Sequence, residues 1–368
     1  MRLFFDCRYV RSERHDGISR YSTELVRALA ELHPVTMIVH DPRQLRMLPD
    51  LPHVFASAPT SAREPFIARQ LNRLRPDVVF SPMQTMGSIG RRYGLVLTIH
   101  DLIYYSERTP PGEFSPALRL LWRLYHLSYT PQRLLLRGAD RVATISATTR
   151  ELMRRHRIAP RPVRVVGNAP DERFRLPAGQ RPPGPPERPN LVYMGSFMPY
   201  KNVETAAAAM HELPGWTLQL CSRIDDARLA RLERLAPPGA IVAHRGVSDE
   251  RYLELLHGAT ALVTASRNEG FGLPLIEAMA AGCPVLCSDL PIFREVCGPA
   301  GRYFPAEDPA ALAAAARALA DPAQRRDAQE AGLAQARGFT WRAAAESLLA
   351  TCREVHADRR CAERGRDG

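Results

Sequence analysis

Apolar residues in this chain fall into two kinds of run that alternate. Short continuous runs predict strands: residues 1–5, Val35 to His40, Val54 to Ala56, Val78 to Phe80, Leu95 to Ile99 and Arg141 to Ser146, and Val163 to Asn168 closes this first set. Between them, Ile18, Leu25, Val26, Leu29 and Leu32 recur at helical spacing, and residues 64–75 read as a basic helix. Residues 115–137 also read as helical, interrupted near Pro131. The pattern then begins again. Leu191 to Met194, Leu218 to Arg223, Ile241 to Val247, Ala259 to Ala265 and Pro284 to Cys287 predict strands. Helices are predicted up to Met210, at Asp249 to His257, at Ala310 to Leu319 and at Pro322 to Arg337, with a last one from Thr340 towards Val355. Two successive strand–helix alternations imply an α/β chain with two parallel sheets and a cleft between them.

Between the halves, Pro177, Pro182, Pro183, Pro185, Pro186 and Pro189 exclude a helix interior or a central strand. The expected organisation is a first domain over residues 1–170, a stiff linker over 171–190 and a second domain over 191–339. A final helix over 340–356 and a charged, disordered tail over 357–368 complete it.

Composition narrows the class. An apolar content of 45% over 368 residues is enough for two globular cores. No apolar run reaches the roughly 18 residues of a membrane span. Met1 to Asp6 is charged too soon for a secretory signal and reads as a first strand. The 7 cysteines are scattered without a C-x-x-C pair, and Cys283 and Cys287 read as buried thiols, so a reducing cytoplasm is expected and a zinc cage is not. The net charge of +11 divides as +13 for residues 1–190 and −2 for 191–368. A basic first half suits an anionic lipid, a lipid-pyrophosphate acceptor or nucleic acid, or is simply an arginine-rich surface. Within it, residues 115–137 mix Leu118, Leu120, Leu121, Trp122 and Leu124 with Arg119, Arg123, Arg133 and Arg137. Such a helix either lies on a membrane or packs its apolar side on the core.

The candidate chemistry concentrates at Ser266 to Gly282. A strand leads into Glu269-Gly270-Phe271-Gly272-Leu273-Pro274, and a short helix carries Glu277. Pro274 suits the first helical position and Gly282 a stop with positive φ. Free N–H groups at a helix amino terminus attract anions, and Gly270 and Gly272 admit close backbone approach. Together with two carboxylates this suits a ligand bearing phosphate and hydroxyls, such as a nucleotide sugar. Alternatively, Glu277 complements the helix dipole from the first turn and Glu269 is solvated.

The string Glu269 to Glu277, continuing to Val285, resembles the E-x7-E motif of retaining glycosyltransferases of family 4, which have the GT-B architecture. The resemblance implies two Rossmann-like parallel-sheet domains facing across a cleft, with the last helix crossing back to the first. It implies transfer of a hexose, first of all mannose from GDP-mannose, to a hydroxyl of a glycan or lipid-linked glycan. Ala139-Asp140-Arg141-Val142 and the run from Gly17 to Tyr21 are similar to family segments, the latter to members of surface polysaccharide assembly. By the same resemblance, Gly17 faces the donor phosphate through its backbone, and His100 of His100-Asp101 lies near the transferred sugar and is a catalytic candidate. Lys201, in the loop from Gly195 to Asn202, binds the pyrophosphate. Val247 ends the predicted strand whose end contacts the base. Glu277 takes the ribose hydroxyls, while Glu269 with the backbone of Gly270, Phe271, Gly272 and Leu273 holds the sugar.

Two departures from the family pattern stand out. Asn168-Ala169 replaces an expected Asn-Gly, and Ser196 and Tyr200 occupy positions where relatives carry an arginine. Arg223 is the candidate to supply that guanidinium. No metal is expected, since Asp225-Asp226 is not a D-x-D motif and reads as solvated. No nucleic-acid partner is expected either, because RNA-type aromatic platforms are absent. The expected location is the cytoplasm, at the inner face of the membrane if the basic helix touches lipid. The alternative is a GT-B-shaped protein that binds nucleotide sugar or nucleic acid without turnover.

Overall fold

The structure is a computed structural model that describes residues 1–13, 15–110, 115–177, 179–180, 182 and 184–364. Two compact units divide the chain: Met1–Asn168 with Thr340–Gly368, and Ala169–Phe339.

The first unit contains β1 (Leu3–Asp6), β2 (Val35–Val39), β3 (His53–Phe55), β4 (Val78–Ser81), β5 (Gly94–Ile99), β6 (Arg141–Thr144) and β7 (Val163–Val165). All pair in parallel, in the order β3-β2-β1-β4-β5-β6-β7. β1, β4 and β5 are buried at every position, as continuous apolar runs should be when helices cover both faces of a sheet. After β1 the chain builds towards one edge, and from β4 towards the other. The carboxyl ends of β1 and β4 therefore flank a crevice.

A charge network fills that end of the sheet. Arg8 is 1% exposed. Its guanidinium donates to both carboxylates beside it, Asp6 through Nε at 2.8 Å and Glu64 through Nη1 at 2.7 Å. It also donates to the Ser57 carbonyl at 2.9 Å, while Ser81 Oγ donates to Asp6 at 3.0 Å. The ends of β1 and β4 and the segment after β3 are thus tied to one cation. Burial pushes the Glu64 carboxyl up, with Arg8 opposing the shift. The basic helix expected over 64–75 is a 3-10 turn, Glu64–Phe66, followed by a helix, Ile67–Asn72, because Glu64 is held by Arg8.

The helix Gly17–Ala30 follows β1. Asp16 caps it by accepting the Ser19 N–H at 2.9 Å, and Tyr21, Leu25, Val26 and Leu29 are buried. Against it lies the final helix, Trp341–Arg364, which meets Tyr21 edge-on through Trp341 at 5.9 Å and Val165 through Ser347 at 2.7 Å. Residues 357–364 are helical rather than a tail; residues 365–368 lie outside the described ones. Charges along this helix are engaged. Asp358 pairs with Arg141 at 2.6 Å, Glu354 with Arg164 at 2.7 Å, and Arg359 donates to the Arg92 carbonyl at 3.0 Å.

The second unit contains β8 (Asn190–Tyr193), β9 (Thr217–Leu220), β10 (Ile241–Ala243), β11 (Ala261–Thr264), β12 (Val285–Ser288) and β13 (Gly301–Phe304). They pair in parallel in the order β10-β9-β8-β11-β12-β13. Leu191, Leu218, Val263 and Leu286 of the sheet form a core with Ala206, Met210, Leu312 and Ala316 of the covering helices. A helix at Pro291–Cys297, absent from the sequence reading, buries Phe293 and Val296. The proline-rich stretch begins as part of this unit rather than as a free spacer. Phe174 is buried 5.5 Å from Tyr252, the Leu176 N–H meets the Ala280 carbonyl at 2.9 Å, and Arg173 pairs with Asp249 at 2.7 Å.

Arg8→Met would leave Asp6 and Glu64 buried without their cation, at a cost of roughly 3–5 kcal/mol. The expected result is a markedly earlier first transition in urea unfolding followed by circular dichroism. An unchanged transition would mean that the network does not hold this end of the sheet.

Candidate active site

In the second unit the sheet reverses its direction of growth between β8 and β11, so their carboxyl ends border the crevice where open α/β sheets take ligands. Two loops meet there. After β8, a 3-10 turn, Pro199–Lys201, ends at Asn202, whose backbone is left-handed with φ 50° and ψ 44°. The Asn202 amide donates to the Ala265 and Ala306 carbonyls at 3.1 and 2.7 Å. After β11, Arg267 donates to the Pro199 carbonyl and to Asn202 Oδ1, each at 2.8 Å, and pairs with Glu307. Its N–H reaches the Tyr200 carbonyl at 2.7 Å. Arg267 was not singled out from the sequence, although it sits inside the motif; it fastens the two loops.

This lacing brings Lys201 onto Glu269. The ammonium pairs with Glu269 Oε1, which also accepts from Ser266 Oγ at 3.1 Å. The side chains are 17% and 11% exposed, so the pair is largely withdrawn from water. The Tyr200 ring lies 5.3 Å from the same ammonium. The sequence reading assigns these two residues to different parts of a ligand; here they hold each other.

The helix Leu273–Ala280 starts from Gly272, whose φ of 100° and ψ of 50° are left-handed. A Cβ on Gly272 would lie 2.9 Å from the Phe293 ring, so both backbone and space call for glycine. Pro274 is the second helical residue, and Gly282 has the expected positive φ, 73°. Glu277 is the fifth residue rather than one of the first turn, and is 5% exposed. Beyond the first turn the helix dipole offers little, so the dipole account of Glu277 weakens. Phe271 is buried edge-on to Phe339 at 6.0 Å, which leaves its backbone as the part free to meet a ligand. Gly270 is buried, and Leu273 is half-buried at the helix start.

The neighbouring loops carry the remaining candidates. Ser196 is exposed, and its carbonyl accepts the buried Tyr193 hydroxyl at 2.6 Å. The Gly195 N–H meets Ser222 Oγ at 3.0 Å, joining this loop to the one after β9. There Arg223 is exposed and has no ion-pair partner among the described residues; its stem lies over Gly246, where a Cβ would meet it at 3.0 Å. Val247, next in the chain, is half-buried. Asp225 caps the helix Asp226–Glu233, and Asp226 pairs with Arg245 at 2.5 Å.

In the first unit, His100 follows β5. Its Nε2 lies 2.8 Å from the Pro82 carbonyl. A carbonyl only accepts, so Nε2 carries the proton and Nδ1 presents a lone pair. Burial holds the imidazole pKa below its ordinary value and keeps the ring neutral. Tyr21 packs edge-on against it at 5.0 Å and donates to the Val166 carbonyl at 3.2 Å. Tyr21 belongs to the helix that Gly17 opens, so one aromatic contact links that helix to His100; Gly17 itself is exposed.

The stretch expected to be helical over 115–137 is two helices, Pro116–Tyr125 and Thr130–Leu136, and Pro131 starts the second rather than interrupting one. The second packs Leu136 into the core, but the apolar side of the first does not pack there. Leu120, Leu121 and Leu124 are 59%, 62% and 54% exposed. The other side of the first helix is held by aromatic contacts, Trp122 to His126 at 4.1 Å and to Tyr104 at 5.2 Å, and Tyr105 stacks on Tyr129 at 4.2 Å. Among the described residues no helix is long and apolar enough to cross a membrane.

Two family models match. One, described as Glycosyltransferase Family 4, covers residues 15–174, and one described as Glycosyl transferases group 1 covers residues 188–321. O-antigen chain mannosyltransferase B of Escherichia coli is 35% identical over 159 residues, which are 41% of this chain and 42% of that protein. The GDP-mannose:cellobiosyl-diphosphopolyprenol alpha-mannosyltransferase of Xanthomonas campestris is 30% identical over 159 residues, 39% of each chain. The matches thus span about two fifths of these curated relatives' lengths. Among solved structures, sucrose-phosphate synthase from Thermosynechococcus elongatus superposes with a TM-score of 0.75 at 21% identity, over 97% of this chain and 99% of that one, which shows the fold. Two parallel sheets of this order and the superposition show the GT-B fold, and by the paired family models and the mannosyltransferase relatives the chain is similar to glycosyltransferases of family 4.

Proposed function

We propose that the protein transfers a hexose from a nucleoside-diphosphate sugar to a hydroxyl of a glycan or lipid-linked glycan, with retention of anomeric configuration. The observation that carries this reading is the meeting of Lys201, Glu269 and the helix bearing Glu277 at the reversal point of the second unit's sheet. A nucleotide sugar presents a diphosphate, ribose hydroxyls and sugar hydroxyls, and these loops carry a cation, a helix amino terminus at Leu273 and two carboxylates. Lys201, with Arg223 and the backbone of Ser196, stabilises the charge that develops on the leaving diphosphate. Glu277 accepts the ribose hydroxyls, and Val247 lies beside the base. Glu269 and the backbone from Gly270 to Leu273 hold the sugar. His100, neutral and with Nδ1 as an acceptor, takes a hydroxyl of the transferred sugar. In this scheme the departing phosphate receives the acceptor's proton, and no metal is required. The mannosyltransferase relatives favour mannose, and GDP-mannose is the proposed donor.

The exposed leucines of Pro116–Tyr125, with Arg119 and Arg123 on the same helix, support peripheral contact with an anionic membrane at its cytoplasmic face. A lipid-linked acceptor would be presented there.

Glu277→Ala removes charge-assisted hydrogen bonds to the ribose and should raise the donor KM about tenfold to a hundredfold. In the same transfer assay His100→Ala should lower kcat more than it raises KM. Wild-type kinetics in either variant would contradict the role given to that residue. For the membrane, the full chain should sediment with vesicles containing phosphatidylglycerol at low salt, less at high salt, and not with phosphatidylcholine alone. Absence of sedimentation at low salt would rule the contact out.

A further inference from the structure

The cation that should meet the diphosphate is already neutralised from within the site. Lys201 pairs with Glu269, and both side chains are mostly covered. Glu269 Oε1 holds a second donor, Ser266 Oγ. Any diphosphate reaching Lys201 therefore competes with a carboxylate already in place. A ligand with a diphosphate and nothing beyond it takes the ammonium and leaves Glu269 with one hydroxyl donor, close to new negative charge. A ligand that also carries a sugar offers hydroxyl donors to the carboxylate it displaces. The exchange is electrostatically unfavourable in the first case and compensated in the second.

We propose that Glu269 is a specificity-determining residue: by competing for Lys201 it selects nucleotides that carry a sugar over the bare nucleoside diphosphate left after transfer. The inference rests on the donor-site reading given above and adds to it a reason for product release. Once the sugar has left, Glu269 loses its hydroxyl partners and returns to Lys201, expelling the diphosphate. The loops are built for a fixed exchange rather than a loose one. Asn202 and Arg267 lock the Lys201 turn to the Glu269 loop through Ala265, Ala306 and Pro199, so the two charges stay opposite each other while the side chains re-pair. The Tyr200 ring, 5.3 Å from the ammonium, gives it a partner during the change.

The test is calorimetric binding of GDP, UDP, ADP and their mannose or glucose esters to the full wild-type chain and to Glu269→Gln. The variant keeps the shape of the side chain and removes its charge. It should bind the matching bare diphosphate about tenfold tighter than wild type, equivalent to about 1.4 kcal/mol. It should also lose most of the preference for the sugar ester, and the inhibition constant of the diphosphate product should fall in parallel. Adding Lys201→Gln should erase the gain, which a general loosening of the loop would not do. Wild-type binding with an unchanged or weaker diphosphate affinity in Glu269→Gln overturns selection by Glu269 and leaves the donor site standing. Failure of every nucleotide to bind either protein overturns both.

Discussion

The parallel pairing of β8 with β11 is the constraint on which the second unit depends. From β8 the chain builds one half of the sheet, and from β11 the other, so the loops leaving these two strands have no crossover helix between them. They are free to meet. The sequence uses that freedom by putting an asparagine in a left-handed conformation on one side and an arginine on the other, and the bond from Arg267 to Asn202 Oδ1, with those each makes to the facing backbone, sets Lys201 against Glu269. Gly272 then turns the chain into the helix bearing Glu277, at a position where any side chain would strike Phe293.

The first unit has the same topology and treats its reversal point differently. Its β1–β4 end is filled by a fully desolvated arginine bonded to two carboxylates, one of which also accepts from a serine. Such a network is expensive to break and leaves little charge free to meet a ligand. The second unit instead keeps a pair that retains some exposure. One crevice is sealed as architecture, and the other stays open to exchange of partners. His100 lies one strand further along the first sheet, held as a neutral acceptor by the Pro82 carbonyl and the Tyr21 ring.

Much of this was legible in the sequence. Continuous apolar runs marked the central strands because both faces of a parallel sheet are covered, and Gly282 and Pro274 marked the ends of the short helix. Long-range charge pairing left no local trace. Arg8 and Glu64 are 56 positions apart, and Lys201 and Glu269 are 68 apart, so neither pair alters any periodicity. The same blindness made residues 357–364 look like part of a charged, disordered tail, because Asp358 finds Arg141 only once the helix is laid on the sheet. The helix at Pro291–Cys297 was missed for a different reason: at 7 residues it is too short to show a period. At Pro116–Tyr125 the pattern did announce an amphipathic helix but not which way it faces; that is fixed by the ring contacts of Trp122 with Tyr104 and of His126 with Tyr105.

The central claim is that a nucleotide sugar binds at the reversal point of the second sheet. Amide hydrogen exchange of the full chain, with and without GDP-mannose and then with UDP- and ADP-sugars, tests it most directly. One of these donors should slow exchange in residues 195–203 and 266–277, around Lys201, Glu269 and Glu277. Protection that avoids both segments for every donor that binds, or no protection with any of them, would contradict the account.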